Sequence, residues 1–182
     1  MNRAPQVPAV DPKSGEGIAQ RAYAQEEQER RTCSVLINEL YFLHSRLGVL
    51  LARMIGREGN EPLRTLLMDH YAGGQTIVQR ILDGARCIGF TPCPSANVIA
   101  AGLLEEVRYA NHHKDPANGR PVALQIALRT LHVHGIYTWG RLIDALERPG
   151  PAQLQQEALA LLTSEAGLYK ALAALSLARS AH

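Results

Sequence analysis

The chain has 182 residues, a formal net charge of +2, 46% hydrophobic and 20% charged residues. That balance excludes a disordered chain and gives one domain enough apolar side chains for an ordinary core. Lysine and arginine are scattered rather than clustered, so nucleic acid and anionic membrane are not expected as partners, and no apolar run reads as a transmembrane helix of roughly 18 residues.

The opening stretch, "MNRAPQVPAVDPKSGEGIAQ", carries Pro5, Pro8 and Pro12 and has neither an apolar run nor a cleavage-site pattern. It does not read as a secretory signal. A mobile tail over 1–24 is expected, since the segment cannot bury enough surface to offset its chain entropy, with the folded unit over 25–180. Beyond it, strand-like alternation is nearly absent and helical periodicity is strong. The pattern predicts a first helix from about Glu26 to Ile55, ended by "GREGNEP". A second runs from about Glu61 to Ile88, with Pro62 in the first turn, where its missing N–H costs little. "GFTPCPS" breaks the chain before a shorter helix, about Ala96 to Asn111, and the loop "NHHKDPANGRP". A third long helix, about Val122 to Glu147, is stopped by "RPGP", and a fourth runs from about Ala152 to Ala178.

Each of the two short loops between long helices forces an antiparallel hairpin, and the middle connection can carry the chain back across the bundle. The expected class is therefore all-α, a ferritin-like antiparallel four-helix bundle with a long crossover carrying a short extra helix. Gly73, Gly74 and Gly84 inside the second helix each cost roughly 1 kcal/mol of helix stability, which points to close helix approach or to space for something bulky. The three cysteines, Cys33, Cys87 and Cys93, are odd in number and form no CxxC pair. A reduced, cytoplasmic setting fits them, with Cys87 and Cys93 at most a local pair, and a zinc–thiolate site is not expected.

Rotation by about 100° per residue sorts the helix faces. The first helix has an apolar stripe of Leu36, Leu40, Leu43, Leu47, Leu51 and Met54, and His44 falls inside it. In the second helix the stripe is Leu63, Leu66, Ile77, Ile81 and Ile88, with His70 near its centre. The fourth long helix lines up Leu154, Leu161, Leu168, Leu172 and Leu175 around Glu165. The third long helix presents Leu124, Leu128, Leu131, Gly135, Leu142 and Leu146. It also holds "LHVHGIYTWG", with two of the chain's 7 histidines one residue apart. Residues two apart on a helix diverge by about 200°, so His132 and His134 cannot serve one site. His132 is the inward candidate, on the side of Trp139 and Ile143, and His134 is expected to face solvent or a second chain.

Depth agrees with direction. His44 and His70 each lie roughly 20 Å from the first hairpin loop, and His132 and Glu165 roughly 25 Å from the second. A small stagger between hairpins brings all four into one layer. A buried carboxylate is costly unless it pairs, binds a metal or takes up a proton. Three imidazoles and one carboxylate suit a single metal ion, Fe, Mn or Zn, but they equally suit a hydrogen-bonded histidine–glutamate cluster with no metal. Tyr41, Asp69 and Tyr169 lie near enough to the stripes to orient the histidines. His112 and His113 sit in a loop, and "EEQERR" reads as a solvated first turn with its acids at the positive end of the helix dipole.

These helices resemble those of the YciF/YciE-type ferritin-like family of small bacterial stress-associated proteins, over about Leu36 to Leu175. "NELYFLHSRLGVLLARM" resembles the family's first helix, with His44 in place of a glutamate. "LLMDHYAGGQTIVQRI" resembles the second, and His70 matches its histidine. "HVHGIYTWGRLIDAL" resembles the third, where His132 and Gly135 stand at positions usually glutamate. "LLTSEAGLYKAL" resembles the fourth, with Glu165 on its acidic position. The resemblance implies a metal site, yet di-iron sites of ferritin-like bundles use several carboxylates and a Glu-x-x-His spacing. No Glu-x-x-His occurs in this chain, position 67 is Leu67, and Gly73 and Gly74 stand where the family tends to be acidic. A ferroxidase or iron store of the ferritin type is therefore not expected.

The expected function is that of a stress-associated bundle with an altered, histidine-rich, mononuclear metal site built from His44, His70, His132 and Glu165, with no catalytic residue assigned. The alternative is a metal-free, non-catalytic bundle acting through its surface as a homodimer. A third reading places a small organic ligand in a cavity left by Gly73, Gly74 and Gly135.

Overall fold

The computed structural model describes residues 15–94, 97–112, 119–146 and 152–180, with side chains between 17 and 174. Among them all regular structure is helical: α1 (Gly15–Ile55), α2 (Glu61–Cys87), α3 (Val98–Asn111), α4 (Gly119–Leu146) and α5 (Ala152–Ser180). The expected all-α class and the five segments are borne out, with most boundaries within three residues. The exception is α1, which starts at Gly15 rather than Glu26. Residues 15–24, assigned to the tail from their composition, are helical, and Glu16, Ala19, Gln20, Arg21, Ala22 and Ala24 among them all favour the helix. Residues 1–14, His113 and the side chain of Leu175 lie outside the described part.

Local chemistry explains where the helices begin and end. Asn60 caps α2, its side chain accepting from Leu63 N at 2.9 Å, and Pro62 sits in the first turn. The helix stops at Gly89, whose φ of +66° is a conformation other residues adopt at a cost. Gly89 N donates to Arg86 O at 2.9 Å and Phe90 N to Ala85 O at 3.0 Å, a Schellman closure that turns Phe90 back onto the core. Asn97 caps α3, accepting from Ile99 N and Ala100 N at 2.8 and 3.2 Å.

Side-chain ties fix the topology. After α2 the chain is level with the middle of α1, where Cys93 N donates to Asn38 Oδ1 and Asn97 Nδ2 to Glu39 Oε2, both at 2.7 Å. Its helix α3 then climbs beside α1 and α4. At the top, the buried Arg120 donates to Asn111 O, Asn111 Oδ1 and Arg57 O, each at 3.1 Å, and stands 3.5 Å from Glu58. Thus α4 starts where α1 ends and runs down against it, and Cys33 Sγ meets Ala145 O at the far end. The short α3 is the crossover, and α1 and α2 pack against α4 and α5 in the ferritin-like order.

The core is not continuous. One apolar cluster, including Leu43, Leu47, Leu51, Leu63, Leu67, Leu128, Leu131 and Leu172, fills the upper half. A second, including Leu36, Leu40, Ile77, Ile81, Trp139, Leu142 and Leu161, fills the lower half. Between them lies a layer of polar side chains. By length and composition α1 also contains a stretch apolar enough to cross a membrane, contrary to the expectation of none, but half of that stretch is buried in the bundle, as in a core helix. Cys33, Cys87 and Cys93 are free thiols, so Cys87 and Cys93 do not form the local pair considered above.

Only one of the three α2 glycines serves close approach. A Cβ at Gly84 would collide with Leu154 of α5, whereas one at Gly73 or Gly74 would meet nothing within 4 Å. Neither Gly73 nor Gly74 opens a cavity. Gly73→Ala therefore removes a helix penalty without a clash and is expected to raise stability by about 1 kcal/mol, roughly 2–4 °C in Tm, measured by thermal unfolding followed by circular dichroism. A fall in Tm would show that the backbone there is not ordinary helix.

Candidate functional site

Four elements deliver one ionisable side chain each to the polar layer, at the places the apolar stripes interrupt themselves. His44 comes from α1, His70 from α2, His132 from α4 and Glu165 from α5, and all four are buried. Glu165 has no solvent exposure and is the hub. Its Oε1 lies 2.9 Å from His132 Nδ1, and its Oε2 accepts from Trp139 Nε1 at 3.4 Å. His44 Nε2 is 3.3 Å from the same Oε2, but out of line for a hydrogen bond, so that contact is electrostatic. The His70 ring stands edge-on to His132 with centroids 4.9 Å apart, and its Nδ1 has no hydrogen-bond partner. Beside these two rings is a cavity of about 10 Å³, lined by Leu66, Leu67, Leu128, Leu168 and Leu172. That is room for about one water and for no organic ligand.

Burial sets the charge states. Desolvation above all, with the neighbouring His132 and His44, pushes the His70 imidazole down to about 3 from its usual 6.5, against the pull of Glu165. For Glu165, burial alone would raise the pKa. The charge of His44, the hydrogen bond from His132, the close approach of His44 Nε2 and the charge of His132 outweigh it and hold the carboxyl well below the usual carboxylate range. The layer therefore contains an ionised carboxylate and one imidazole that stays neutral.

Two residues named from the sequence, Gly135 and Trp139, have roles in the layer that the sequence did not assign. Gly135 matters because a Cβ there would lie 2.5 Å from Glu165 Oε1 and 2.9 Å from its Cδ, so the glycine makes room for the carboxylate. Trp139 supplies the indole N–H. With His132, these three lie at i, i+3 and i+7 on one face of α4, a spacing that would have flagged them together. The space expected at Gly135 for a ligand is filled by Glu165. The orienting partners named from the sequence do not act as such: Tyr41 packs on the lower cluster, Asp69 is exposed, and Tyr169 accepts from Arg129 at 3.1 Å.

His134 does turn away from His132, as the helix geometry requires, but toward α1 rather than to solvent. Its Nε2 is 2.6 Å from Glu39 Oε1 on α1, in a largely buried cluster with Thr138 and Asn97. The adjacent histidines thus serve two different carboxylates, one on each flank of α4.

Among the described residues no group of three or more His, Cys, Asp or Glu side chains stands in a geometry ready to hold a metal ion. The dinuclear carboxylate centre implied by the fold does not fit this layer, which has one carboxylate where such a site uses four.

The crystal structure of the E. coli stress protein YciF has the same fold, with a TM-score of 0.77 and 19% identity over 82% of this chain and 94% of that one. The protein YcfI from Rhodopseudomonas palustris superposes with a TM-score of 0.68 and 20% identity, over 76% of this chain and 90% of that one. The resemblance carried by the helix motifs is thereby borne out at the level of the fold. No protein-family model matches the chain, and none of the curated proteins does.

Two outcomes are expected. Because folding depresses the His70 pKa, the unfolded chain binds the extra proton between pH 6.5 and about 3, so stability falls on acidification through that window. His70→Leu should flatten it, removing a slope of up to about 1.4 kcal/mol per pH unit, as read from urea unfolding of chelator-treated protein at stepped pH. An unchanged slope would mean that His70 is protonated in the folded chain. Gly135→Ala should push Glu165 off His132 and cost about 1–3 kcal/mol, opposite in sign to Gly73→Ala despite identical chemistry, and the same unfolding experiment compares them.

Proposed function

We propose that the chain is a stress-associated bundle protein whose buried histidine–glutamate layer takes up one divalent transition ion. The observation that carries this reading is that two buried imidazole nitrogens of the layer, His44 Nε2 and His70 Nδ1, have no hydrogen-bond partner, the first of them 3.3 Å from the ionised Glu165 carboxylate. Leaving a buried polar atom unpaired costs about 1–3 kcal/mol, and a cation contacting both nitrogens would recover it. The donor set fits: neutral imidazole is the ligating form, and one carboxylate offsets part of the ion's charge. The 3.3 Å between His44 Nε2 and Glu165 Oε2 is close to the roughly 3.4 Å edge of a tetrahedral site with bonds near 2.1 Å. His44, His70 and Glu165 would hold the ion, with His132 either joining them or steadying Glu165 through Nδ1. When bound, such an ion would supply Lewis acidity or a redox centre. The protein's own residues exclude bulk water, keep His70 neutral and hold Glu165 charged. The stress-associated role is proposed from the E. coli neighbour, which is named a stress protein, and the cytoplasm from the free thiols.

A metal-free reading has its own support. Glu165 already accepts from His132 and Trp139, which satisfies the costliest group in the layer without an ion. The layer is then a polar core, and the protein acts through its surface.

Metal content separates the two. Untagged protein purified without chelators is analysed by plasma mass spectrometry, alongside His70→Ala and Glu165→Ala. About one ion per chain in the wild type, lost in both variants, is the expected result. No metal after anaerobic reconstitution with Fe, Mn and Zn would overturn the ion-binding reading and leave the metal-free one.

A further inference from the structure

The upper ends of α1 and α3 lie side by side, because Arg120 ties Arg57 O, just beyond one helix, to Asn111 O at the end of the other. Between them is a recess of about 320 Å³, the size of a small-molecule site. Leu50 and Met54 of α1 give it an apolar wall. Apart from the Asn111 amide, whose Oδ1 is held by Arg120, the rest of the lining is basic. Arg53 and Arg57 come from α1 and the turn after it, Arg108 and His112 from α3 and its cap. Among the described residues no carboxylate lines the recess.

Helix ends alone do not call for this many cations. One basic side chain near a C-terminus is ordinary, since it bonds the last carbonyls and offsets the negative end of the helix dipole. Here the buried Arg120 already does so, donating to Arg57 O and Asn111 O, and its own charge is met by Glu58 at 3.5 Å. The guanidiniums of Arg53 and Arg57 have no hydrogen bond or ion pair among the described residues. Arg108 has Glu105, one turn back on its own helix at 3.2 Å, and both side chains are exposed. Such a surface pair contributes little and yields to a better acceptor.

Three guanidiniums around one recess repel each other, and what would offset that is an anion with several oxygens. Each guanidinium presents a planar fork of N–H donors that matches two oxygens of a phosphate or a carboxylate. The number of donors decides between these. A carboxylate brings one charge and two oxygens, fewer than three forks and the His112 ring can engage. A phosphate group brings about two charges and three free oxygens, and a diphosphate more.

The geometry points to a binding site for a soluble phosphorylated small molecule, its phosphate on Arg53, Arg57 and Arg108 and its carbon part against Leu50 and Met54. The recess shares no residue with the buried histidine–glutamate layer, so loss of one site leaves the other intact.

Equilibrium dialysis of the full chain against labelled pyrophosphate, at about 0.15 M salt, tests the site. Saturable binding is expected, weakened at least about tenfold when Arg53→Gln is combined with Arg57→Gln. Helix content should not change, since both side chains are exposed. Arg30→Gln combined with Arg31→Gln removes the same charge from the exposed start of α1 and should leave binding as it was. Succinate, with two carboxylates, is expected to compete poorly. Cosedimentation with phosphatidic acid vesicles separates a free phosphate from a lipid headgroup, and no binding to them is expected. Failure to bind pyrophosphate, with or without vesicle binding, would overturn the proposal. So would an equal loss in both double variants, which would show attraction to net charge alone, or succinate competing as well as pyrophosphate.

Discussion

A carboxylate shut away from water is the interaction on which the interior depends. Glu165 has no solvent contact, and an ionised group in that position is tolerated only with donors and opposite charge around it. Much of the bundle's departure from a plain leucine core follows from this need. His132 and Trp139 supply donors, His44 reaches Glu165 from the opposite hairpin, and Gly135 leaves the carboxylate its space. The cost is a core cut into two apolar halves. The polar layer also fixes how the helices align: a one-turn slip of α5 would bring Glu165 among leucines with no donor, as a single buried polar residue fixes register in a coiled coil.

Much of the fold and the layer was legible in the sequence, because both follow from periodicity. The stripes place His44, His70, His132 and Glu165 inward, and helix rise places them at one depth. What stayed hidden depends on neighbours that a stripe does not reveal. His134 looked outward because only the α4 leucine face was counted as covered, whereas α1 covers a second flank and places Glu39 there. Glycine has one letter for three environments: Gly84 is pressed by Leu154, Gly135 by Glu165, and Gly73 by nothing. The early start of α1 was masked by prolines just upstream, which governed the reading of residues that are themselves good helix formers.

The crossover shows the same division between pattern and context. Its length alone announces that the chain must travel the bundle's height. Its anchoring was not visible, since Asn97 and Arg120 are ordinary loop-edge residues until Glu39 and the carbonyls of Asn111 and Arg57 are placed beside them. Those anchors join each end of α3 to α1, so the segment that could most easily have been loose is tied at both ends.

The length of α1 has a mechanical consequence. The helix meets the rest of the bundle from about Cys33, where Sγ reaches Ala145, and Ile18 to Glu26 are exposed all round. The residues from Ile18 to Thr32 thus extend about 22 Å ahead of Cys33 as an unbroken continuation of a clamped helix. An extension of this kind behaves as a semi-rigid spacer rather than a string. The exposed Ile18 and Tyr23 are thus carried at a set distance and bearing from the bundle, like a load on a boom.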